Sequence, residues 1–452
     1  MSRLQVDTFA SADGSYTKLK IYRLRHLDAI QRLGNIAPQD IEDIRIVAQV
    51  LPFQVNEYVL ENLIDWSNYT QDPMFRLVFP HKSMLTAAQF SRVQQAMANR
   101  DKPQLLARVV AQIRRELNPH PSGQQTDNAL LLLGSKLEGI QHKYRETVLL
   151  FPSQAQTCHS YCSFCFRWAQ FVGDNDLKIA LKEGGRFLNY LKEHREITDV
   201  LVTGGDPMVM KTRLLKRYLE PLLEPAYDHI RTIRIGTKSL TFWPQRFLTD
   251  NDANELLALL KQLSDAGKHV AIMAHFNHWV ELEPQRTQDA IAKVLATGAK
   301  IRSQGPLLAH INDSPKVWAK LWQRQVELGV IPYYMFVERD TGANRYFSVP
   351  LIKAWNIYKD AIQQVSGLAR TVRGPVMSAH PGKVEILGVT KLDERDVMTL
   401  RFIQARDASL AYEPFFAEVD ESAIWFDQLN PITPEAPTWN RSRQTTRNEC
   451  SP

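Results

Sequence analysis

The segment Cys158-His159-Ser160-Tyr161-Cys162-Ser163-Phe164-Cys165 contains three of the four cysteines in the chain. It follows the apolar run Val148-Leu149-Leu150-Phe151. Three thiolates on one short loop can each hold one iron of a four-iron, four-sulfur cluster, and the lack of a fourth cysteine nearby leaves one iron open to a small molecule. The spacing therefore predicts that Cys158, Cys162 and Cys165 bind a [4Fe–4S] cluster.

Two other interpretations of these cysteines stay open. A structural zinc site needs four ligands in a closed tetrahedron, and His159 lies one residue from Cys158 rather than at the usual ligand spacing. Free cysteines are also common as small buried hydrophobes, although core thiols do not usually cluster in one loop. Cys450 lies in a polar tail and is given no role.

Composition limits the class of protein. The chain has 452 residues, 44% of them hydrophobic and 23% charged, which is typical of a soluble protein of two or three domains. No apolar run approaches the ~18 residues of a membrane span, and the N-terminus lacks a secretory pattern. The few cysteines suit a reducing compartment, so we predict a cytoplasmic protein without a membrane partner. The net charge of +6 is dispersed, which argues against nucleic acid as the main partner.

Hydrophobic periodicity predicts the order of the elements. Residues 27–114 have helical periodicity, and residues 123–138 resemble a linker. Apolar strand-like runs then occur at 148–152, 198–203, 232–236, 269–274, 300–308 and 331–336. Amphipathic stretches follow them at 177–196, 211–223, 252–266, 287–297, 314–328 and 349–365.

This alternation predicts an α/β fold. A strand and a helix in each unit of roughly 30 residues indicate parallel strands with crossover helices, and six units fit an incomplete (β/α)6 barrel with a helical N-terminal extension. We predict a helical region at 1–125, the partial barrel at 126–375, a C-terminal region at 376–430 and a disordered tail at 431–452. Barrel ligands bind at the C-terminal ends of the strands, where the cysteine loop follows the first strand.

The second predicted strand ends in Gly204-Gly205-Asp206. Glycines allow the backbone to approach a ligand closely, although such a segment can also be a simple strand-to-helix turn. Together with the CxxxCxxC spacing, it resembles the radical S-adenosylmethionine (SAM) superfamily. The resemblance implies that the open iron is chelated by SAM and that Gly204, Gly205 and Asp206 bind its amino group.

Residues 40–400 resemble one family of that superfamily, the lysine 2,3-aminomutases. The matching segments are EGIQHKY (138–144), RIGTK (234–238), PQR (244–246), HFNH (275–278), SQGPLL (303–308) and IPYY (331–334). By resemblance, His275 and Gln304 line the SAM site.

The family uses a second cofactor, pyridoxal 5′-phosphate (PLP), which is held by a lysine on a glycine-rich loop after the barrel. The matching segment here, residues 377–383, is shorter and ends in Gly382-Lys383, which makes Lys383 the PLP lysine. Lys143 and Tyr144 lie where the family contacts the phosphate. Thr147 replaces a second phosphate-binding arginine, for which Arg145 is a nearby substitute.

Substrate recognition departs from the lysine enzymes. By resemblance, Arg167 pairs with the α-carboxylate of the substrate, a task for which a planar guanidinium is suited. Arg339 lies where the lysine enzymes have an aspartate for the distal ammonium, so an acidic amino acid, glutamate or aspartate, is expected. Glu338 and Asp340 flank Arg339, so a shift of one residue in the alignment would restore a carboxylate at this position. A position in a solvated loop is the other alternative for Arg339.

The resemblance implies an isomerase that moves the α-amino group of an amino acid to the β-carbon. It also implies a low-potential electron donor such as flavodoxin or ferredoxin. A homo-oligomer is compatible with the sequence, but without the family's cysteine cluster no zinc link between subunits is expected. Two alternatives are a radical SAM enzyme of the same scaffold that acts without PLP or on a protein-bound lysine, and a non-catalytic iron–sulfur protein.

Overall fold

The computed structural model describes residues 19–99, 102–118, 130–132, 135–172, 180–181, 184–379 and 381–432. Cys450 and nearly all of the predicted disordered tail lie outside these residues, as does most of the predicted linker. No helix in the described part of the chain combines the length and the apolar character that a membrane crossing requires.

The N-terminal part of the described structure is mainly helical. Its elements are β1 (Ile21–Arg23), α1 (Leu27–Gly34), α2 (Pro38–Val47), β2 (Gln54–Asn56), α3 (Glu57–Asn62), α4 (Pro73–Val78), α5 (Ala87–Ala98) and α6 (Pro103–Glu116). Local chemistry sets several of these boundaries: Pro38 occupies the first turn of α2, and the Thr86 hydroxyl accepts a hydrogen bond from the backbone N–H of Gln89 at the start of α5.

After the N-terminal part come a small separate hairpin, an 11-stranded sheet and the helices that connect many of the strands of that sheet. The strands are β3 (Leu130–Leu132), β4 (Ser135–Leu137), β5 (Ile140–Tyr144), β6 (Thr147–Leu150), β7 (Asp199–Val202), β8 (Thr232–Thr237), β9 (His269–His275), β10 (Lys300–Leu307), β11 (Ile331–Val337), β12 (Arg373–Ser378), β13 (Gly382–Leu392), β14 (Arg395–Ala405) and β15 (Pro414–Glu418). Strands β5 to β15 lie side by side in chain order.

Strands β6 to β12 pair in parallel, and helices connect most of them. The helices are α7 (Trp168–Phe171), α8 (Gly184–Glu193), α9 (Thr212–Leu219), α10 (Ser239–Phe242), α11 (Gln245–Leu248), α12 (Ala253–Asp265), α13 (Gln285–Leu295), α14 (Pro315–Glu327), α15 (Asn344–Phe347) and α16 (Leu351–Ile362). The predicted α/β class is confirmed, and the six predicted strands agree with β6 to β11 to within a few residues.

The two faces of the parallel sheet differ in burial. Residues on one face, such as Val200, Ile233 and Ile301, are fully buried in a core shared with the helices. Their neighbours along the strands are only half-buried and include charged side chains, such as Asp199 and Arg234. Because successive residues of a strand point to opposite faces, these half-buried polar groups lie together on the second face of the sheet.

The C-terminal strands β13, β14 and β15 pair antiparallel, and the sequence analysis did not predict them. The segment that contains Lys383 was expected to be a loop after the barrel. Instead, it forms the turn between β12 and β13, and Lys383 is the second residue of β13, opposite Ser378. This turn attaches Lys383 to the same sheet as the cysteine loop.

Candidate active site

The cysteine loop connects β6 to α7, at the C-terminal ends of the parallel strands. The thiols of Cys158, Cys162 and Cys165 are free and partly exposed. Burial raises the pKa of Cys162 to about 12 and that of Cys165 to about 11, and it raises the pKa of Cys158 well above its ordinary value. Thiols with raised pKa values stay protonated at neutral pH, and a bound metal would supply the positive charge that stabilises the thiolates.

The distances between the sulfur atoms distinguish a site for an iron–sulfur cluster from a site for a single zinc ion. Three thiolates on one zinc ion would be about 3.8 Å apart, given zinc–sulfur bonds of about 2.3 Å and tetrahedral geometry. Among the described residues, the three-residue group with ligand atoms within 4.8 Å of one another is His142, His194 and Glu196; the cysteines do not form such a group. Separate attachment to three irons does not require that closeness, so the loop fits a cluster better than zinc.

The histidine group carries no further sign of a metal. Both ring nitrogens of His142 already have protein partners at 2.9 Å, the Tyr190 hydroxyl and the Arg145 carbonyl.

The N-terminal region holds the cysteine loop in place. The Gln54 side-chain amide donates to the Cys158 carbonyl at 2.6 Å, and the Gln54 carbonyl accepts from the Tyr161 N–H at 2.8 Å. Ser163 donates from its backbone N–H to the Leu77 carbonyl at 2.8 Å. Sequence reasoning missed Gln54 because a single glutamine on a short strand has no distinguishing pattern.

The Gly204-Gly205-Asp206 segment lies against the same loop. A Cβ atom on Gly204 would lie 2.5 Å from the Ala155 carbonyl oxygen, and one on Gly205 would lie 2.4 Å from the Thr157 carbonyl oxygen. The sequence analysis attributed the two glycines to close approach of a ligand. In the structure, both glycines lie against the cysteine loop, and the Gly205 N–H donates to the Ala155 carbonyl at 2.7 Å. Their contact with the amino group of SAM stays a prediction.

The Asp206 carboxylate faces the protein interior. It accepts hydrogen bonds from the Thr237 hydroxyl at 2.8 Å and the Lys238 N–H at 3.0 Å, and it lies 3.2 Å from His159 Nε2. Burial alone would raise the pKa of Asp206, but these contacts hold it below its ordinary value. His159 in turn contacts Asn56 of β2 at 3.2 Å, so Asp206 connects the cysteine loop to the N-terminal region.

His275, the last residue of β9, and Gln304 of β10 are the residues assigned to the SAM site by resemblance, and they are register partners. The His275 ring stacks on Phe164 of the cysteine loop with ring centroids 5.7 Å apart. Burial, followed by the charge of Lys238, lowers the pKa of His275 to about 3, so the imidazole is neutral. Its buried Nδ1 has no hydrogen-bond partner within the described residues, which leaves a polar atom for a ligand.

The predicted PLP residues converge from opposite ends of the sheet. Lys383 Nζ donates to the Gln404 side chain at 3.1 Å and lies 5.7 Å from the Tyr144 ring centroid. Lys143 Nζ lies at the same distance from that ring. The Tyr144 hydroxyl is buried and, within the described residues, has no hydrogen-bond partner.

Positive charge dominates this part of the site. Burial is the largest cause that lowers the pKa of Lys143 to about 7, and four nearby cations contribute to this value: Lys383, Arg339, Arg406 and Arg167. Burial also lowers the pKa of Lys383 to about 7. Cations that depress one another's pKa values in a partly buried space form a site for an anionic ligand, and the aldehyde and phosphate of PLP fit this set of groups.

The two predicted substrate arginines share one aromatic ring. The guanidinium carbons of Arg167 and Arg339 lie 5.2 Å and 5.3 Å from the centroid of Phe166. Arg167 also donates to the Gly204 carbonyl, and the buried Nε of Arg339 has no partner among the described residues. Arg339 therefore lies inside the site and not in a solvated loop, and burial raises the pKa of neighbouring Glu338 well above its ordinary value.

Comparison with known proteins gives matches along most of the chain. It is 30% identical over 413 residues to a protein of Aquifex aeolicus (strain VF5) described as "Putative L-lysine 2,3-aminomutase", covering 91% of this chain and 97% of that protein. It is 25% identical to the L-lysine 2,3-aminomutase of Methanococcus maripaludis, covering 76% of this chain and 69% of that protein. A glutamate 2,3-aminomutase of Clostridioides difficile (strain 630) is 30% identical, over 51% of each chain.

Other comparisons add little. No family model matches the chain. A crystal structure of Streptococcus suis SuiB bound to S-adenosylmethionine superposes with a TM-score of 0.34 and 14% identity, covering 61% of this chain and 58% of that one. This superposition is too limited to support an inference.

Proposed function

Because the chain belongs to the lysine 2,3-aminomutase family of radical SAM proteins, we propose that it is a PLP-dependent 2,3-aminomutase of an acidic amino acid, glutamate or aspartate. The relatives are named aminomutases, so the protein is an enzyme of the isomerase class. The substrate and the use of PLP go beyond family membership and rest on the residues of the site.

Each cofactor has a set of residues suited to hold it. Cys158, Cys162 and Cys165 would hold the cluster, the neutral His275 and Gln304 would line the SAM site, and Lys383 would bind PLP. When bound, the cluster and SAM supply a radical that removes hydrogen from the substrate, and PLP supplies the conjugated ring that carries the amino group.

The side chains of this chain would bind PLP, orient the substrate and exclude water from the site. A lysine with a pKa of about 7 is largely neutral at physiological pH, so Lys383 Nζ has the free electron pair that reaction with an aldehyde requires. The aromatic side chains of Phe151, Phe166 and Tyr334 pack against the cationic groups of the site. Such packing excludes water, which would otherwise compete with the substrate for these charges.

The fold supports this arrangement. We infer that strands β6 to β11 form an incomplete barrel whose half-buried, polar face surrounds the substrate, with the N-terminal helices as an extension. The helices pack on one face of the parallel sheet, and the opposite face carries charged side chains such as Arg234.

One observation carries the proposed substrate: two arginines, Arg167 and Arg339, meet on the ring of Phe166, beside Lys143. Two guanidiniums can pair with the two carboxylates of glutamate or aspartate. The distal ammonium of lysine would instead meet Arg339, and a like-charge contact of this kind costs several kcal/mol. A glutamate 2,3-aminomutase among the relatives is compatible with an acidic substrate.

The Arg339→Asp variant tests the proposed specificity. We expect turnover of the acidic substrate to fall roughly tenfold or more, because a charge-assisted contact contributes about 1.5–3 kcal/mol. Arg339→Lys should keep part of the activity, and Arg345→Asp, which makes the same charge change at an exposed position, should keep nearly all of it.

Faster turnover of lysine than of either acid by the unmodified enzyme would contradict the proposal. Loss of that lysine turnover in Glu338→Gln would then identify the neighbouring carboxyl group as the one that binds the substrate side chain.

A further inference from the structure

We propose that Arg406 binds the phosphate of PLP, in place of the arginine that Thr147 replaces. This inference rests on the proposed function. It names a cofactor-binding residue that neither the sequence motifs nor the resemblance indicated.

The strand register brings Arg406 to the cofactor lysine. Lys383 and Gln404 are paired residues of β13 and β14, and their side chains are joined by the hydrogen bond of 3.1 Å. Arg406 follows Gln404 by two positions, so it leaves the end of β14 on the same side of the sheet. Its N–H donates to the Pro381 carbonyl at 3.0 Å, which fixes its backbone beside the turn that carries Lys383.

The surroundings of Tyr144 show where the Arg406 charge acts. Burial raises the pKa of Tyr144 to about 12, and Arg406 is the largest of the positive charges that oppose this rise. The same charge lowers the pKa of Lys143. Lys143, whose Nζ lies 5.7 Å from the Tyr144 ring, the unpartnered Tyr144 hydroxyl and the charge of Arg406 thus act in one region of the site, and together they suit a phosphate group.

Thr147 and Arg145, the two other candidates for phosphate binding, are poorly placed for that role. The Thr147 hydroxyl donates to the Asp199 carboxylate at 3.3 Å, and that carboxylate also accepts from Arg234 at 2.8 Å. A hydroxyl beside a carboxylate does not attract a second anion. Arg145 is exposed, whereas Arg406 is half-buried.

The test compares PLP with pyridoxal, which lacks the phosphate, in binding titrations with the full-length protein. The unmodified protein should bind PLP more tightly than pyridoxal. In Arg406→Gln, PLP binding should weaken roughly tenfold or more while pyridoxal binding is unchanged, because only a phosphate contact is lost. Arg406→Lys should restore part of the preference, and Arg395→Gln, an exposed change on β14, should not alter it.

The outcomes distinguish this proposal from the function it rests on. If the unmodified protein binds neither compound, the PLP-dependent function fails and this proposal fails with it. A second outcome is that the unmodified protein prefers PLP while Arg406→Gln keeps that preference or Arg145→Gln removes it. Either result would overturn the assignment of Arg406 and leave the PLP-dependent function standing. If Arg406→Gln does not fold, the folded Arg406→Lys variant decides: an unchanged ratio of PLP to pyridoxal affinity would overturn the assignment.

Discussion

At the scale of single residues, burial among other cations determines the chemistry of Lys383. An exposed lysine has a pKa near 10.5, whereas burial, together with Arg234, lowers the pKa of Lys383 to about 7. The sequence identified this lysine by resemblance to a family segment. It could not predict the altered pKa, because Arg234 and Gln404 approach Lys383 only after the sheet has formed.

The first prediction concerns the pH dependence of PLP attachment to Lys383. Only the neutral amine reacts with the aldehyde, so the rate of covalent attachment should rise as the pH approaches about 7 and level off above it. Borohydride reduction followed by peptide mass spectrometry should locate PLP on Lys383. Lys383→Ala should show no attachment, and Lys391→Ala, at an exposed position, should behave as the unmodified protein does.

A rate that keeps rising towards pH 10 would mean that Lys383 titrates as an ordinary lysine. PLP found on another lysine would show that the cofactor residue was wrongly assigned.

At the scale of elements, the segment that follows strand β7 packs directly against the cysteine loop. The alternation of apolar strand-like runs with amphipathic stretches sufficed to predict strands β6 to β11. Strands β13 to β15 were missed. The close contact between Gly205 and Thr157 was also beyond prediction from sequence, because the two segments are far apart in the chain and their approach depends on the register of β6 and β7.

The second prediction tests that contact by adding one methyl group. In Gly205→Ala, the new Cβ would lie 2.4 Å from the Thr157 carbonyl oxygen, so the cysteine loop must shift. We expect the free energy of unfolding to fall by about 1–3 kcal/mol and the iron content per chain to fall with it. Gly185→Ala on α8 is the matched control, because among the described residues, apart from its chain neighbours and the backbone of its own helix, no atom lies within 4 Å of its added methyl group.

Denaturant unfolding and iron analysis of both variants provide the measurement. The account of the glycines would be wrong if Gly205→Ala matched the unmodified protein in both stability and iron content.

At the scale of the whole molecule, the N-terminal helices and the cysteine loop share one hydrophobic core. Phe164 and Trp168 of the loop region pack in a cluster with residues of α1 to α6, such as Val59 and Ile113. The sequence predicted the helices but not this contact, which depends on tertiary packing. The predicted boundary near residue 125 stays a prediction, since a shared core crosses it.

The proposed reaction moves the amino group of an acidic amino acid from the α-carbon to the β-carbon. With glutamate, the product is 3-aminoglutarate, which chromatography separates from the substrate. With aspartate, the migration regenerates aspartate, so a ¹³C label at C2 is needed to follow the change in the carbon that bears nitrogen.

The most direct test is to supply the anaerobically purified protein with iron, sulfide, SAM, PLP and a low-potential reductant, and to incubate it separately with glutamate, labelled aspartate and lysine. The account predicts 3-aminoglutarate from glutamate or label exchange in aspartate, with little or no β-lysine from lysine. Formation of β-lysine faster than either acidic product would contradict it.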